Sequence, residues 1–313
     1  MQFTPKINQI LHHLEKIQSF NAQNSLDDTR KYLEAMSLQL SGKKEPVRMI
    51  EELNIAAGDH QIPVRIYRPK GITGGNSSAI IYIHGGWFIA GGFETHDAVV
   101  RKLANATESV IIFVDYRLAP EHPFPAGLND CIHVTDWIID HAESLGIAGS
   151  RIGIIGDSAG AALATAVSIQ LGRKLKFQAL IYPAANNHLE SKTWETYENG
   201  PVLNKPGGVE AWKWYLPEEE KNNSLAVPAL IQDFKDTPPT LILLAEHDPL
   251  LDDGKQLSEN MKNAGVSVST NFYHDMVHGF MHMGGILDEV QQAIDQMASF
   301  AHKHFEVSME SQL

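Results

Sequence analysis

Apolar residues gather in short runs along this chain, at Ala79 to Ile83, Val110 to Val114, Ile152 to Gly156, Phe177 to Tyr182, Thr240 to Ala245 and Val266 to Tyr273. The first five runs, apolar at nearly every position, predict strands buried on both faces of a sheet, and the last, Val266 to Tyr273, alternates apolar with polar residues as a further strand. Between them, the periodicity predicts helices over His96 to Ala104, Asp130 to His141, Ala161 to Leu171, Gly254 to Ala264 and Asp288 to His302. Alternation of the two kinds of segment predicts an α/β fold, a mostly parallel central sheet with helices on both faces. Ahead of the first run, Ile7, Ile10, Leu11, Leu14 and Ile17 keep helical spacing, and Ser25-Leu26-Asp27-Asp28 reads as the start of a further helix.

One turn in this pattern carries chemistry. Gly156-Asp157-Ser158-Ala159-Gly160 joins a predicted strand directly to a predicted helix. Glycines on both sides of the serine permit a sharp strand-to-helix turn that leaves the hydroxyl exposed above the sheet, near a helix N-terminus. Such a nucleophile elbow requires an acid and then a histidine further along the chain. Thr240 to Ala245 delivers Asp248 at the carboxyl end of a strand, and the run ending at Tyr273 leads to His278. A serine hydroxyl is a poor nucleophile until an imidazole takes its proton, and the imidazole needs a carboxylate to fix its tautomer. The expected roles are therefore attack by Ser158, proton transfer by His278 and orientation by Asp248. Asp252 and Asp253 compete for the acid role, but they fall at the start of the next helix, where a solvated or capping pair is expected.

Acyl transfer also needs hydrogen-bond donors aimed at the developing oxyanion. His84-Gly85-Gly86-Trp87 follows the strand Ala79 to Ile83, so its loop leaves the sheet on the same edge as the elbow. The N–H groups of Gly85 and Gly86, with that of Ala159, are the expected oxyanion hole. His84 is expected to brace the loop, and Asp157 to project away from the nucleophile. Arg117 and Glu121 read as part of a structural polar network.

From about Val47 to Phe305 the chain resembles bacterial esterases of the hormone-sensitive lipase family, within the α/β-hydrolase fold. The resemblance rests on His84-Gly85-Gly86, Glu94-Thr95-His96-Asp97, the block Asp115-Tyr116-Arg117-Leu118-Ala119-Pro120-Glu121-His122-Pro123-Phe124-Pro125-Ala126, the elbow, Asp248-Pro249-Leu250 and His278-Gly279-Phe280. It implies carboxylester hydrolysis by a serine triad, no cofactor, and a helical cap over the site. The family often dimerises, so a homodimer is one expected assembly. The expected organisation is residues 1–45 as N-terminal cap helices, 46–183 and 239–313 as the catalytic domain, and 184–238 as a second cap segment. Trp194, Tyr197, Trp212, Trp214 and Tyr215 fall in that second segment, mostly for cap packing, with one or two expected at the pocket.

Two positions depart from the family pattern. Trp87 stands where a third glycine is usual, and Ala161 where a second glycine often follows the elbow. A tryptophan at position 87 is strained if the backbone there needs positive φ, and otherwise can line the acyl pocket. The expectation is preserved catalysis with narrowed acyl specificity.

Composition narrows the setting. The 313 residues are 43% hydrophobic, enough for a large core, with no repeat or low-complexity segment. A formal net charge of −13 argues against nucleic acid or anionic membrane as a partner. The single cysteine, Cys131, reads as a buried structural thiol, so the fold does not depend on an oxidising compartment. Met1-Gln2-Phe3-Thr4-Pro5-Lys6 opens no leader-like apolar core and no run spans a membrane, so a cytoplasmic protein is expected. His274, His278 and His282 have a helical spacing that could hold a metal, but Gly279 and the preceding strand argue for a loop, and no metal site is expected.

Together these readings predict hydrolysis of short to medium-chain carboxylic esters through an acyl-enzyme. Alternatives on the same triad are an amidase, a lactonase or a sugar deacetylase. A ligand-binding module that has lost catalysis is disfavoured, because Ser158, Asp248 and His278 are all present.

Overall fold

A computed structural model describes residues 4–17, 25–71, 74–200 and 202–310. Met1 to Phe3, read above for a leader, lie outside the described residues.

Two helices come first, α1 (Pro5–Glu15) and α2 (Leu26–Leu40). Ser25 starts α2 through a capping box: its side chain accepts from the Asp28 N–H, and the Asp28 carboxylate reaches back to the Ser25 N–H. The sheet follows, with strands β1 (Met49–Ala57), β2 (His60–Arg68), β3 (Ser77–Ile83), β4 (Val110–Val114), β5 (Ile147–Asp157), β6 (Gln178–Ile181), β7 (Thr240–His247) and β8 (Val268–Val277). Interleaved with them are α3 (Phe93–Thr107), α4 (Ala126–Asp140), α5 (Ala159–Leu171), α6 (Lys192–Thr196), α7 (Lys205–Tyr215), α8 (Leu251–Asn263) and α9 (Glu289–Glu310).

All eight strands form one sheet in the order β1-β2-β4-β3-β5-β6-β7-β8. From β4 to β8 every neighbouring pair is parallel, whereas β2 runs antiparallel to both β1 and β4. The β1–β2 hairpin is absent from the sequence expectation. Its signals are the alternating Ile62, Val64 and Ile66, and a tight turn at Gly58-Asp59, where Gly58 has φ 67°. The hairpin lies at the edge of the sheet, away from the elbow.

Successive strand residues feed opposite core layers, as the pleat requires. Ile81 and Ile83 belong to one core layer with Leu128 and Val134 of α4, Leu163 of α5 and Leu257 of α8, while Ile80 and Tyr82 belong to the other with Ile10 of α1, Val100 of α3 and Ile294 of α9. Cys131 is fully buried in the first of these layers. The chain between β6 and β7 leaves the sheet and carries α6 and α7, and α2 rests against α3 and a turn of 3-10 helix at Phe280–Met283. Both excursions meet over the carboxyl ends of the parallel strands, the edge at which open α/β sheets hold ligands.

Candidate active site

Ser158 occupies the turn from β5 into α5 with φ 55° and ψ −118°, a conformation costly for a residue with a side chain. The turn closes because its flanking glycines have no side chains. A Cβ on Gly156 would lie 2.3 Å from the Gly160 carbonyl oxygen, and one on Gly160 would lie 2.1 Å from the Ile83 oxygen. The backbone thus packs the start of α5 directly against the end of β3.

Three strand ends bring the polar groups together. Ser158 Oγ lies 2.9 Å from His278 Nε2, and His278 Nδ1 lies 2.7 Å from Asp248 Oδ2. Asp248 is completely buried, and its other oxygen accepts the Leu250 N–H at 2.8 Å. Because a carboxylate only accepts, the proton of neutral His278 sits on Nδ1, leaving the Nε2 lone pair for the serine hydroxyl. The Tyr182 ring packs 4.5 Å from the imidazole and holds its plane. Asp252 instead accepts the Thr193 N–H, tying α8 to α6, and Asp253 is buried without touching His278. Burial pushes the Asp253 carboxyl well above the usual carboxylate range.

In the glycine loop, the Gly85 N–H points away from the serine and donates to Asp157 Oδ1 at 3.0 Å. Gly85 therefore departs from the expected set of oxyanion donors, because its hydrogen bond is already made. The N–H groups of Gly86, Trp87 and Ala159 have no protein acceptor among the described residues. His84 is fully buried, with Nδ1 on the Gly85 carbonyl at 2.8 Å and its ring stacked on Tyr116 at 4.3 Å. Burial, reinforced by the neighbouring His96, pushes its pKa down to about 3, so it stays neutral.

Asp157 anchors this loop from below. Besides Gly85, it accepts the Tyr82 hydroxyl at 2.9 Å, and His96 Nε2 lies 3.3 Å from it. Burial alone would raise the Asp157 pKa, but the imidazoles of His96 and His282 outweigh it and hold the carboxyl well below the usual range. His96 and His282 carried no assigned role in the sequence. Their signal is proximity across the fold, which no spacing encodes. His274 is exposed on β8, and Gly279 at φ 73° breaks the segment before His282, so the three regularly spaced histidines share no helix face.

A cavity of about 60 Å³ opens at Ser158. Tyr32, Leu33 and Met36 of α2 close it from above, with Trp87, Tyr182, Val202 and Leu203 at its sides. Trp87 combines both expected alternatives: it has φ 58° and it lines this cavity. Its indole packs on Trp194 of α6 at 6.3 Å and presses on Gly208 of α7, where an added Cβ would lie 3.0 Å from the ring. None of Trp194, Tyr197, Trp212, Trp214 or Tyr215 lines the cavity. Trp194, Trp212 and Tyr215 are buried instead, and Tyr215 stacks on Phe88 at 3.7 Å, so these aromatics fasten the α6–α7 excursion to the loop beneath it. Arg117 makes an ion pair with buried Asp130, and Glu121 one with Arg30 of α2, both remote from the serine's partners.

Comparison with known proteins agrees with this geometry. A family model described as alpha/beta hydrolase fold matches residues 80–282. The chain is 34% identical over 276 residues to Carboxylesterase NlhH of Mycobacterium tuberculosis, covering 83% of this chain and 86% of that protein. It is 30% identical over 293 residues to an ethyl acetate hydrolase of Pseudomonas putida, covering 89% and 90% of the two chains. A hyperthermophilic esterase from the archaeon Pyrobaculum calidifontis superimposes with a TM-score of 0.90 at 32% identity, over 98% of this chain and 99% of that one. The chain thus belongs to the α/β-hydrolase fold family, in its hormone-sensitive-lipase-like branch, and is a serine carboxylic-ester hydrolase.

Proposed function

We propose that the protein hydrolyses esters of short acyl chains, with Ser158, His278 and Asp248 as its triad and with Gly86, Trp87 and Ala159 as its oxyanion donors. The observation that carries this reading is the hydrogen-bonded line Ser158–His278–Asp248 opening onto a cavity of only about 60 Å³. Sites that enclose drug-sized ligands measure roughly 300–1,000 Å³. A space this small suits an acetyl or propionyl group.

In the forward reaction, Ser158 Oγ attacks the ester carbonyl carbon as His278 Nε2 takes the hydroxyl proton. Negative charge collects on the carbonyl oxygen, and the three free N–H groups stabilise it, helped by the N-terminus of α5. The C–O bond then breaks as His278 returns the proton to the departing alkoxide oxygen, which leaves as the alcohol. Water attacks the resulting acyl-serine, gives its proton to His278, and releases the acid with Ser158 restored. Asp248 keeps the imidazole in the right tautomer and stabilises its cation throughout.

The α2 helix and the 184–238 segment act in this reading as the cap, closing the acyl side of the site. Cys131 is buried and unpaired, and no described helix is long and apolar enough to cross a membrane, which supports a cytoplasmic setting.

The test is hydrolysis of nitrophenyl esters from acetyl to palmitoyl by the native protein and by Ser158→Ala, with a phosphonate adduct followed by intact mass. Expected are fast acetyl and propionyl turnover, steep loss with chain length, and neither turnover nor adduct in the variant. Comparable turnover of long chains would overturn the short-chain assignment, and comparable turnover of anilides would make it an amidase.

A further inference from the structure

Behind the serine lies a second cluster that the triad does not use. His96 of α3, Asp157 at the end of β5 and His282 in the 3-10 turn are 1%, 2% and 5% exposed, and their nearest ligand atoms all lie within 4.8 Å of one another. His96 Nε2 is 3.3 Å from Asp157 Oδ1 and 3.5 Å from Oδ2, and His282 Nε2 is 3.8 Å from Oδ2. The two imidazoles meet edge to face at 4.5 Å.

The outer nitrogens settle where the protons sit. His282 Nδ1 faces the Thr95 carbonyl oxygen at 3.2 Å and the Ser37 hydroxyl at 3.3 Å; the carbonyl can only accept and the hydroxyl can accept as well, so a hydrogen on Nδ1 suits both partners. In the neutral ring, Nε2 then aims a lone pair at a carboxylate oxygen, acceptor against acceptor. The two oxygens of Asp157 are also unequal. Oδ1 takes the Tyr82 hydroxyl and the Gly85 N–H, whereas Oδ2 has only the two long histidine contacts. A buried carboxylate oxygen and an imidazole lone pair facing one point are satisfied by a cation there, either a proton on Nε2 or a metal ion held by both groups.

We propose that His96, Asp157 and His282 form a binding site for a divalent cation of the zinc type, whose occupancy inhibits the esterase. Two imidazoles and one carboxylate are a set that zinc accepts, with a fourth position left open. Zinc bonds of about 2.0 Å in tetrahedral array put neighbouring ligand atoms about 3.3 Å apart, the distance between His96 and Asp157 here, and the remaining ligand atoms, within 4.8 Å, would draw together on binding. Each ring also has an outer partner of the kind that orients metal-bound histidines, the Thr95 carbonyl for His282 and the Thr95 hydroxyl at 2.7 Å for His96. The open side faces the cavity, which Asp157, Ser158 and His282 line together. A bound cation would draw charge from the carboxylate that holds the Gly85 N–H and would occupy the floor of the acyl cavity.

The test is titration of the chelator-treated full-length protein with Co²⁺, read by visible d–d absorption, and with Zn²⁺ as competitor. Native protein and Ser158→Ala should both bind one equivalent. His282→Asn and His96→Gln should each weaken binding by more than about 10-fold, with folding checked by circular dichroism. Glu246→Gln, which alters the more exposed grouping of Glu246, His247 and Asp275, should bind as the native protein does. Zinc should inhibit native turnover reversibly by chelator, while the residual turnover of His282→Asn should resist it. Absence of a cobalt spectrum in the native protein overturns the proposal, as does a spectrum unchanged in folded His282→Asn or lost only in Glu246→Gln. Should both histidine variants unfold, X-ray absorption of the zinc-loaded native protein decides: two imidazole ligands are required.

Discussion

The Gly85 N–H donates to Asp157 Oδ1 across 3.0 Å, joining the glycine loop after β3 to the residue immediately before the nucleophile. This bond sets the direction of the next two N–H groups, because the loop turns away from Gly85 with its first donor already engaged. In the proposed reaction Asp157 is thus a positioning residue for the oxyanion donors, acting through the backbone rather than on substrate.

Replacing Asp157 by Asn keeps the size of the side chain and removes the charge. A hydrogen bond to a charged group is worth about 1.5–3 kcal/mol, so kcat should fall about 10- to 100-fold while KM changes little. Steady-state kinetics on a nitrophenyl acetate check this split, and an equal rise in KM would speak against positioning. With its folded pKa held well below 3.8, Asp157 contributes stability that is present above that value and lost as pH falls through the folded pKa. The variant should therefore show a weaker loss of thermal stability in acid than the native protein.

Trp87 holds a left-handed backbone at φ 58° while its side chain lines the cavity at Ser158. Trp87→Gly relieves that strain and opens the space beside Trp194. The ratio of hexanoyl to acetyl kcat/KM should rise at least about 10-fold, in line with the 1–3 kcal/mol that one methylene commands in a closed pocket. An unchanged chain-length profile would show that α2, rather than Trp87, sets the limit.

Asp248 is fully buried and its only side-chain partners are His278 and the Leu250 N–H among the described residues. Asp248→Asn should lower kcat by about 10⁴, since the amide favours the wrong imidazole tautomer. Ser158→Ala should cost about 10⁶. Phosphonate labelling separates the two: Asp248→Asn should label slowly, Ser158→Ala not at all.

Asp115 follows β4, and burial pushes its carboxyl up to about 6, against 3.8 when free. A raised carboxyl pKa means the folded state binds the proton more tightly, so stability declines as pH rises from about 4 to about 6 and stays lower above that. Asp115→Asn should remove this decline and stabilise the protein at pH 7 by about 1–3 kcal/mol. Melting temperatures of both proteins between pH 4 and 8 measure it; parallel curves would show that Asp115 is ionised throughout.

What the sequence determined by itself was local or periodic. The parallel strands and their helices followed from apolar runs, because a strand buried on both faces needs apolar residues at nearly every position. Gly156 and Gly160 marked the elbow because no side chain fits in that turn. Asp248 and His278 were found as the polar groups that directly follow two of the parallel strands. The β1–β2 hairpin was missed although Gly58-Asp59 marks its turn, because its strands are half exposed and Glu51, Glu52 and Asn54 break the apolar run. Only the tertiary structure decided which N–H groups of the glycine loop are free, since that depends on Gly85 meeting a carboxylate from another strand. It alone decided that Tyr32 and Met36 of α2, and not the aromatics of 184–238, close the cavity. Burial likewise converted His96, Asp157 and His282 from unrelated positions into one cluster, because withdrawal from water makes the direction of each lone pair count.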